Sequence, residues 1–148
     1  MSNNQFKRGE LYSVINGMAT TAVARRLQKN FRNAGLEITI EQWSVLYHLW
    51  KEDGLSQLEL GNRTFRDKAS TTRLIDNLEK QELVTRVASK DDRRINLVYL
   101  TDIAKPLQQI TYELANKTMN ESLQNISKEE IEVVKNVLQR VYDNLTSK

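Results

Sequence analysis

The side chains with chemistry to offer lie in two short stretches of the chain. In the first, residues 68–80, Lys68, Ser70, Thr71, Arg73 and Asn77 share a helical segment with an apolar stripe expected to be Ala69, Leu74, Ile75 and Leu78. Small hydroxyl side chains near the start of a helix permit close approach to base edges, and an arginine there can bond guanine through two hydrogen bonds or contact a phosphate. The second stretch is Ser89-Lys90-Asp91-Asp92-Arg93-Arg94. An arginine on a thin loop can enter a minor groove, where the potential is most negative, and a neighbouring carboxylate can orient its guanidinium. Taken alone, each stretch also fits a solvated polar face.

The distribution of charge joins the two stretches. Between Arg63 and Arg94 stand nine basic and six acidic residues, an excess of +3 that equals the net charge of the whole chain. The other residues balance, so the excess is confined to one central segment, as a nucleic-acid footprint would be. The 148 residues, 39% hydrophobic and 28% charged, suit one folded domain with helical extensions. The absence of cysteine removes disulfides, thiolate metal sites and thiol redox sensing. One histidine, His48, is too few for a His-rich metal site and argues against a Ser-His-Asp triad. No nucleophile–base pair, glycine-rich phosphate loop or metal-ligand set stands out, so neither an enzyme nor a cofactor is expected. No run of about 18 apolar residues is available to cross a membrane, and the polar residues 1–9 lack an apolar signal core; a cytoplasmic protein without a membrane partner is expected.

The elements that must position these residues follow from periodicity. Five glycines and one proline favour long helices. Leu11, Val14, Ile15, Met18, Ala22 and Leu27 recur at helical spacing over residues 6–33, with Gly35 as a stop. Thr39-Ile40-Glu41-Gln42 has the capping-box form and opens a helix expected to bury Trp43, Leu46, Tyr47 and Trp50. A short helix over 56–62, with Leu58 and Leu60 inward, precedes the helix over 68–80. The period then shifts: Leu83 to Val87 and Ile95 to Leu100 read as two strands around a charged loop. Thr101 is expected to cap the next helix, with Pro106 in or near its first turn, and Ser127-Lys128-Glu129-Glu130 boxes the last, which carries Ile131, Val134, Val137, Leu138, Val141 and Leu145. Two helices joined by a short turn and followed by a two-stranded wing make a winged helix-turn-helix, within a mainly α chain.

The segment 55–100 resembles the DNA-binding core of the MarR (multiple antibiotic resistance regulator) family. The resemblance is carried by Gly54-Leu55-Ser56-Gln57-Leu58-Glu59-Leu60, by Asp67-Lys68-Ala69-Ser70-Thr71-Thr72-Arg73-Leu74-Ile75-Asp76-Asn77-Leu78-Glu79-Lys80, by Leu83-Val84-Thr85-Arg86, and by Asp91-Asp92-Arg93-Arg94 with Leu100-Thr101 behind it. It implies a homodimer held by terminal helices over 6–35 and 101–148. Two winged lobes over 39–100 would then read a palindromic, inverted-repeat operator in double-stranded DNA, with the protein acting as a repressor. It implies recognition-helix roles for Ser70, Thr71, Thr72 and Arg73, a minor-groove role for Arg94 with Arg93 in support, and an orienting role for Asp92; Lys68 and Lys90 complete the basic surface. It also implies release by a small aromatic effector, for which Trp43, Tyr47 and Trp50 are the candidate pocket; a core stripe is the plainer reading of the same three rings. The alternative to sequence-specific regulation is a winged helix that binds a protein partner or organises DNA without sequence preference.

The sequence departs from the family at four places. Gly61 stands where alanine is frequent, Glu82 and Ala104 where glycine is usual, and Pro106 is unusual. Gly61 is expected to loosen the short helix, and Glu82 to take a left-handed conformation at some cost or to turn differently.

Overall fold

The computed structural model describes residues 8–147, so the expected helix start at Phe6 lies outside the described residues. The elements are α1 (Arg8–Asn16), α2 (Met18–Asn33), α3 (Ile40–Lys51), β1 (Leu55–Ser56), α4 (Gln57–Arg63), α5 (Lys68–Lys80), β2 (Val84–Ala88), β3 (Asn96–Leu100), α6 (Leu107–Ser122) and α7 (Lys128–Thr146). The chain forms two compact units. One is Leu27–Asn116; the other joins the residues up to Arg26 with those from Lys117 onward, so the divisions fall inside α2 and α6.

In the central unit, three strands form an antiparallel sheet in the order β1-β3-β2, with Leu55 opposite Val98, Val84 opposite Leu100 and Ala88 opposite Asn96. Its core is Phe31, Val45, Leu46, Leu49, Leu60, Ile75, Leu78, Val84 and Val98, each 2% exposed or less. Burying such a side chain stabilises by about 1.5–3 kcal/mol. α3 turns Val45, Leu46 and Leu49 inward, while Trp43, Tyr47 and Trp50 are half-buried rather than buried as expected. Their bulk extends beyond the stripe that meets the core. Leu58, expected inward, is 73% exposed, because α4 buries Leu60 and Gly61 and leaves Leu58 on the opposite side.

The helix starts carry their caps. Thr39, Ser56 and Ser127 each form a full capping box, and Asp67 caps α5 by accepting from the Ser70 N–H at 2.7 Å. Each such cap is worth about 1 kcal/mol. Glu82 takes the left-handed conformation at φ 59°, closing α5 with Leu83 N–H donating to the Leu78 carbonyl at 2.9 Å. Gly61 lies within an unbroken α4. A Cβ there would stand 3.0 Å from Thr71 Oγ1 and 3.2 Å from the Arg66 carbonyl oxygen, so glycine permits α5 to approach closely.

Three boundaries differ from expectation. The first long helix is divided at Gly17, although Gly17 N–H to Ser13 and Thr21 N–H to Gly17 continue the ladder. α6 begins at Leu107, not at Thr101. Pro106 has no N–H to donate, so residues 102–106 form turns, and the Thr101 hydroxyl instead donates to the Glu82 carbonyl at 2.6 Å. β1 is a third strand of two residues, too short for alternation to reveal; it is defined by its partner β3.

In the terminal unit, α7 has no buried residue. Val134, Val137, Leu138 and Leu145 of α7 are exposed, as are Leu11, Val14 and Ile15 of α1. No helix among the described residues is long and apolar enough to cross a membrane.

Candidate nucleic-acid interface

α5 packs through Thr71, Ile75 and Leu78, an i, i+4, i+7 stripe that touches α3 and α4. This corrects two expectations. Ala69 is exposed, and Thr71, offered as a base-contacting residue, is 1% exposed with its hydroxyl donated to the Asp67 carbonyl at 2.8 Å. A threonine facing the core beneath Gly61 has no path to a base. Lys68 and Arg73 are exposed, and Ser70 and Thr72 are half-buried. The outward face of α5 therefore keeps Lys68, Ser70, Thr72 and Arg73 of the anticipated set.

Sequence reasoning missed the side chain that ties this helix to the wing. Arg86 of β2 is 17% exposed and bonds Asp76 at 2.6 Å and Glu79 at 3.1 Å on α5. Its Nε donates to Gln57 of α4 at 2.8 Å, and its backbone N–H donates to Glu79 at 3.2 Å. One guanidinium thus joins α4, α5 and β2 through charge-assisted hydrogen bonds, which are about twice as strong as neutral ones. The signal was present as two carboxylates three residues apart on the helix and an arginine on the following strand.

The tip between β2 and β3 is shaped by its own backbone. Ser89 N–H donates to Ile95 at 2.8 Å, and Ile95 N–H donates to Asp92 at 2.9 Å. Asp92 then holds Arg94 three ways: its Oδ1 accepts the Arg94 backbone N–H at 3.0 Å and Nε at 3.2 Å, and its Oδ2 accepts Nη2 at 3.5 Å. Arg94 remains 91% exposed, so it is oriented but free to meet a partner. Lys90 and Arg93 are exposed beside it, with no ion-pair partner among the described residues.

The aromatic candidates pack together within the same unit. Trp43 lies 5.7 Å from Tyr47, and Tyr112 lies 5.7 Å from Tyr47 and 6.1 Å from Trp50, ring centre to ring centre. Trp50 Nε1 donates to the Ala104 carbonyl at 3.1 Å, whereas the buried Trp43 Nε1 has no acceptor among the described residues. His48 sits beside Tyr47, and burial, with Arg63 and Lys51 nearby, holds its imidazole below its ordinary pKa. No group of three or more metal-ligating side chains occurs among the described residues.

Comparison with known proteins gives the same picture. The model of the MarR family matches residues 38–95. The HTH-type transcriptional regulator TtmR of Methylorubrum extorquens is 36% identical over 92 residues, covering 61% of this chain; the chain spans about half the length of that relative, 47% of which is matched. The crystal structure of transcriptional regulator PA3341 aligns over 95% of this chain and 99% of its own, with 30% identity and a TM-score of 0.77. A MarR mutant from E. coli complexed with operator DNA shares the fold at 24% identity, 90% and 91% coverage and a TM-score of 0.78. The matched relatives are regulators, not enzymes, and this chain belongs to the MarR family of transcriptional regulators.

Proposed function

We propose that the protein is a homodimeric, sequence-specific double-stranded DNA-binding regulator of the cytoplasm, acting as a repressor on an inverted-repeat operator. The observation that carries this reading is the pairing of two presented cationic surfaces in one lobe: the outer face of α5 with Lys68 and Arg73, and the wing with Arg94 aligned by Asp92 and flanked by Lys90 and Arg93. A helix of this kind fits a major groove and an exposed arginine on a loop fits the adjacent minor groove. That a MarR mutant from E. coli sharing this fold is complexed with operator DNA supports DNA as the partner.

The dimer reading rests on α1 and α7. An amphipathic helix of 19 residues with no buried side chain needs a partner surface, and a second copy supplies one by symmetry. On this reading residues 6–35 and 101–148 serve dimerisation and residues 39–100 form the DNA-binding lobe. An effector reading rests on Trp43, Tyr47 and Trp50, whose rings cluster with Tyr112 and resemble the aromatic lining of a site for a small aromatic ligand.

The test is selection from a pool of random duplexes by the full chain, followed by sequencing of the bound fraction. Enrichment of a palindrome with half-sites about one helical turn apart is expected. A folded protein that retains duplexes without enriching any sequence would overturn sequence-specific regulation in favour of an architectural role; one that retains no duplex would point to a protein partner.

A further inference from the structure

The polar side chains of α5 fall into two sets, and the division bears on what the helix can read. On the flank facing the wing, Thr72, Asp76 and Glu79 are engaged, while the exposed Lys68 ammonium has no ion-pair partner among the described residues. Thr72 donates its hydroxyl hydrogen to the Lys68 carbonyl at 2.8 Å and accepts from Gln57 Nε2 at 3.3 Å; Asp76 and Glu79 are held by Arg86. A hydroxyl has one hydrogen, so Thr72 has none left to donate to a base. On the other flank, Ser70, Arg73 and Asn77 follow one another at i, i+3 and i+7 and so share a face. Their side chains have no hydrogen-bond or ion-pair partner among the described residues, and Arg73 and Asn77 are exposed.

We infer that Asn77 is a specificity-determining residue of this chain, reading an adenine in each operator half-site about two base pairs from a guanine read by Arg73. The inference rests on the DNA-binding function proposed above. An unengaged carboxamide presents a donor and an acceptor side by side, the pattern that matches adenine N7 and N6, as a free guanidinium matches guanine O6 and N7. Four residues of helix advance about 6 Å, and successive bases lie about 3.4 Å apart, which gives the spacing of about two base pairs. Asp76, beside Asn77 in sequence, is paired with Arg86, which it shares with Glu79, so its carboxylate is turned to the wing flank and does not engage the Asn77 carboxamide.

The experiment is duplex selection with the full-length wild type, Asn77→Ala and Arg73→Ala, each checked for a cooperative thermal transition. The wild type is expected to enrich half-sites with guanine and adenine about two base pairs apart. Asn77→Ala should enrich the same motif with the adenine alone degenerate, and Arg73→Ala one with the guanine alone degenerate. On the wild-type duplex Asn77→Ala should bind about tenfold to a hundredfold more weakly, and replacing that adenine should cost the variant nothing further. Asn77→Gln, which keeps the carboxamide, should retain part of the adenine preference. An unchanged motif for Asn77→Ala would overturn the assignment while leaving DNA recognition intact. Absence of any motif for the wild type would instead overturn the reading beneath it.

Discussion

The two units of this chain treat apolar surface in opposite ways. All fifteen buried hydrophobic side chains among the described residues lie between Leu27 and Ala104, inside the central unit. In the terminal unit Val133, Val134, Val137, Leu138, Tyr142 and Leu145 stand exposed along α7. The central unit closes a core on itself, although Leu58, Phe65 and Ile103 stand exposed on it; in the terminal unit no hydrophobic side chain among the described residues is buried. One unit carries its own core; the other carries the apolar surface on which the proposed dimer rests.

The contrast breaks most readily on α7. Leu138→Asp places a charge in the middle of its apolar stripe. Sedimentation should show conversion to monomer and titration a loss of DNA affinity on the order of a hundredfold or more, since two linked half-sites become one. A dimer surviving the substitution would move the interface elsewhere. Within the lobe, Arg86→Met removes the group that satisfies Asp76, Glu79 and Gln57. We expect a loss of about 1–3 kcal/mol, less than for a fully buried pair because both carboxylates are nearly half exposed, read as a fall in thermal midpoint with the dimer intact. Gly54→Ala should cost about 2 kcal/mol by denaturant titration. Its φ of +76° disfavours a side chain, and the new Cβ would lie 2.7 Å from the Tyr99 ring.

The smallest effect concerns pH. His48 is held below its ordinary pKa, so its contribution is complete above about pH 6.5, the unfolded value, and is lost as pH falls through the lower folded value. The thermal midpoint of His48→Asn should therefore decline less between pH 7 and pH 5 than that of the wild type. Equal declines would remove His48 from the account.

Much of the lobe was legible because local signals and tertiary packing agree. Asp67 and Lys80 bound α5 as the periodicity requires, and the positive φ at Glu82 follows from the turn that must close it. The errors have physical causes. Thr71 reads as polar, yet it occupies the i position of a stripe continued by Ile75 and Leu78, and its hydroxyl is satisfied by the helix itself; Ala69 reads as apolar but falls on the outer face. Leu58 reads as core on hydrophobicity alone, in a helix too short for periodicity to decide. Arg86 reads in sequence as one more positive charge, whereas three elements meeting at one guanidinium are visible only in three dimensions.

The central claim is that Arg94, aligned by Asp92 on the wing, meets DNA. The most direct test is the affinity of folded, dimeric Arg94→Ala for the duplex the wild type selects, measured by anisotropy at several salt concentrations. The account predicts binding about tenfold or more weaker than wild type, with both proteins losing affinity as salt rises. Equal affinity of the two proteins would contradict it.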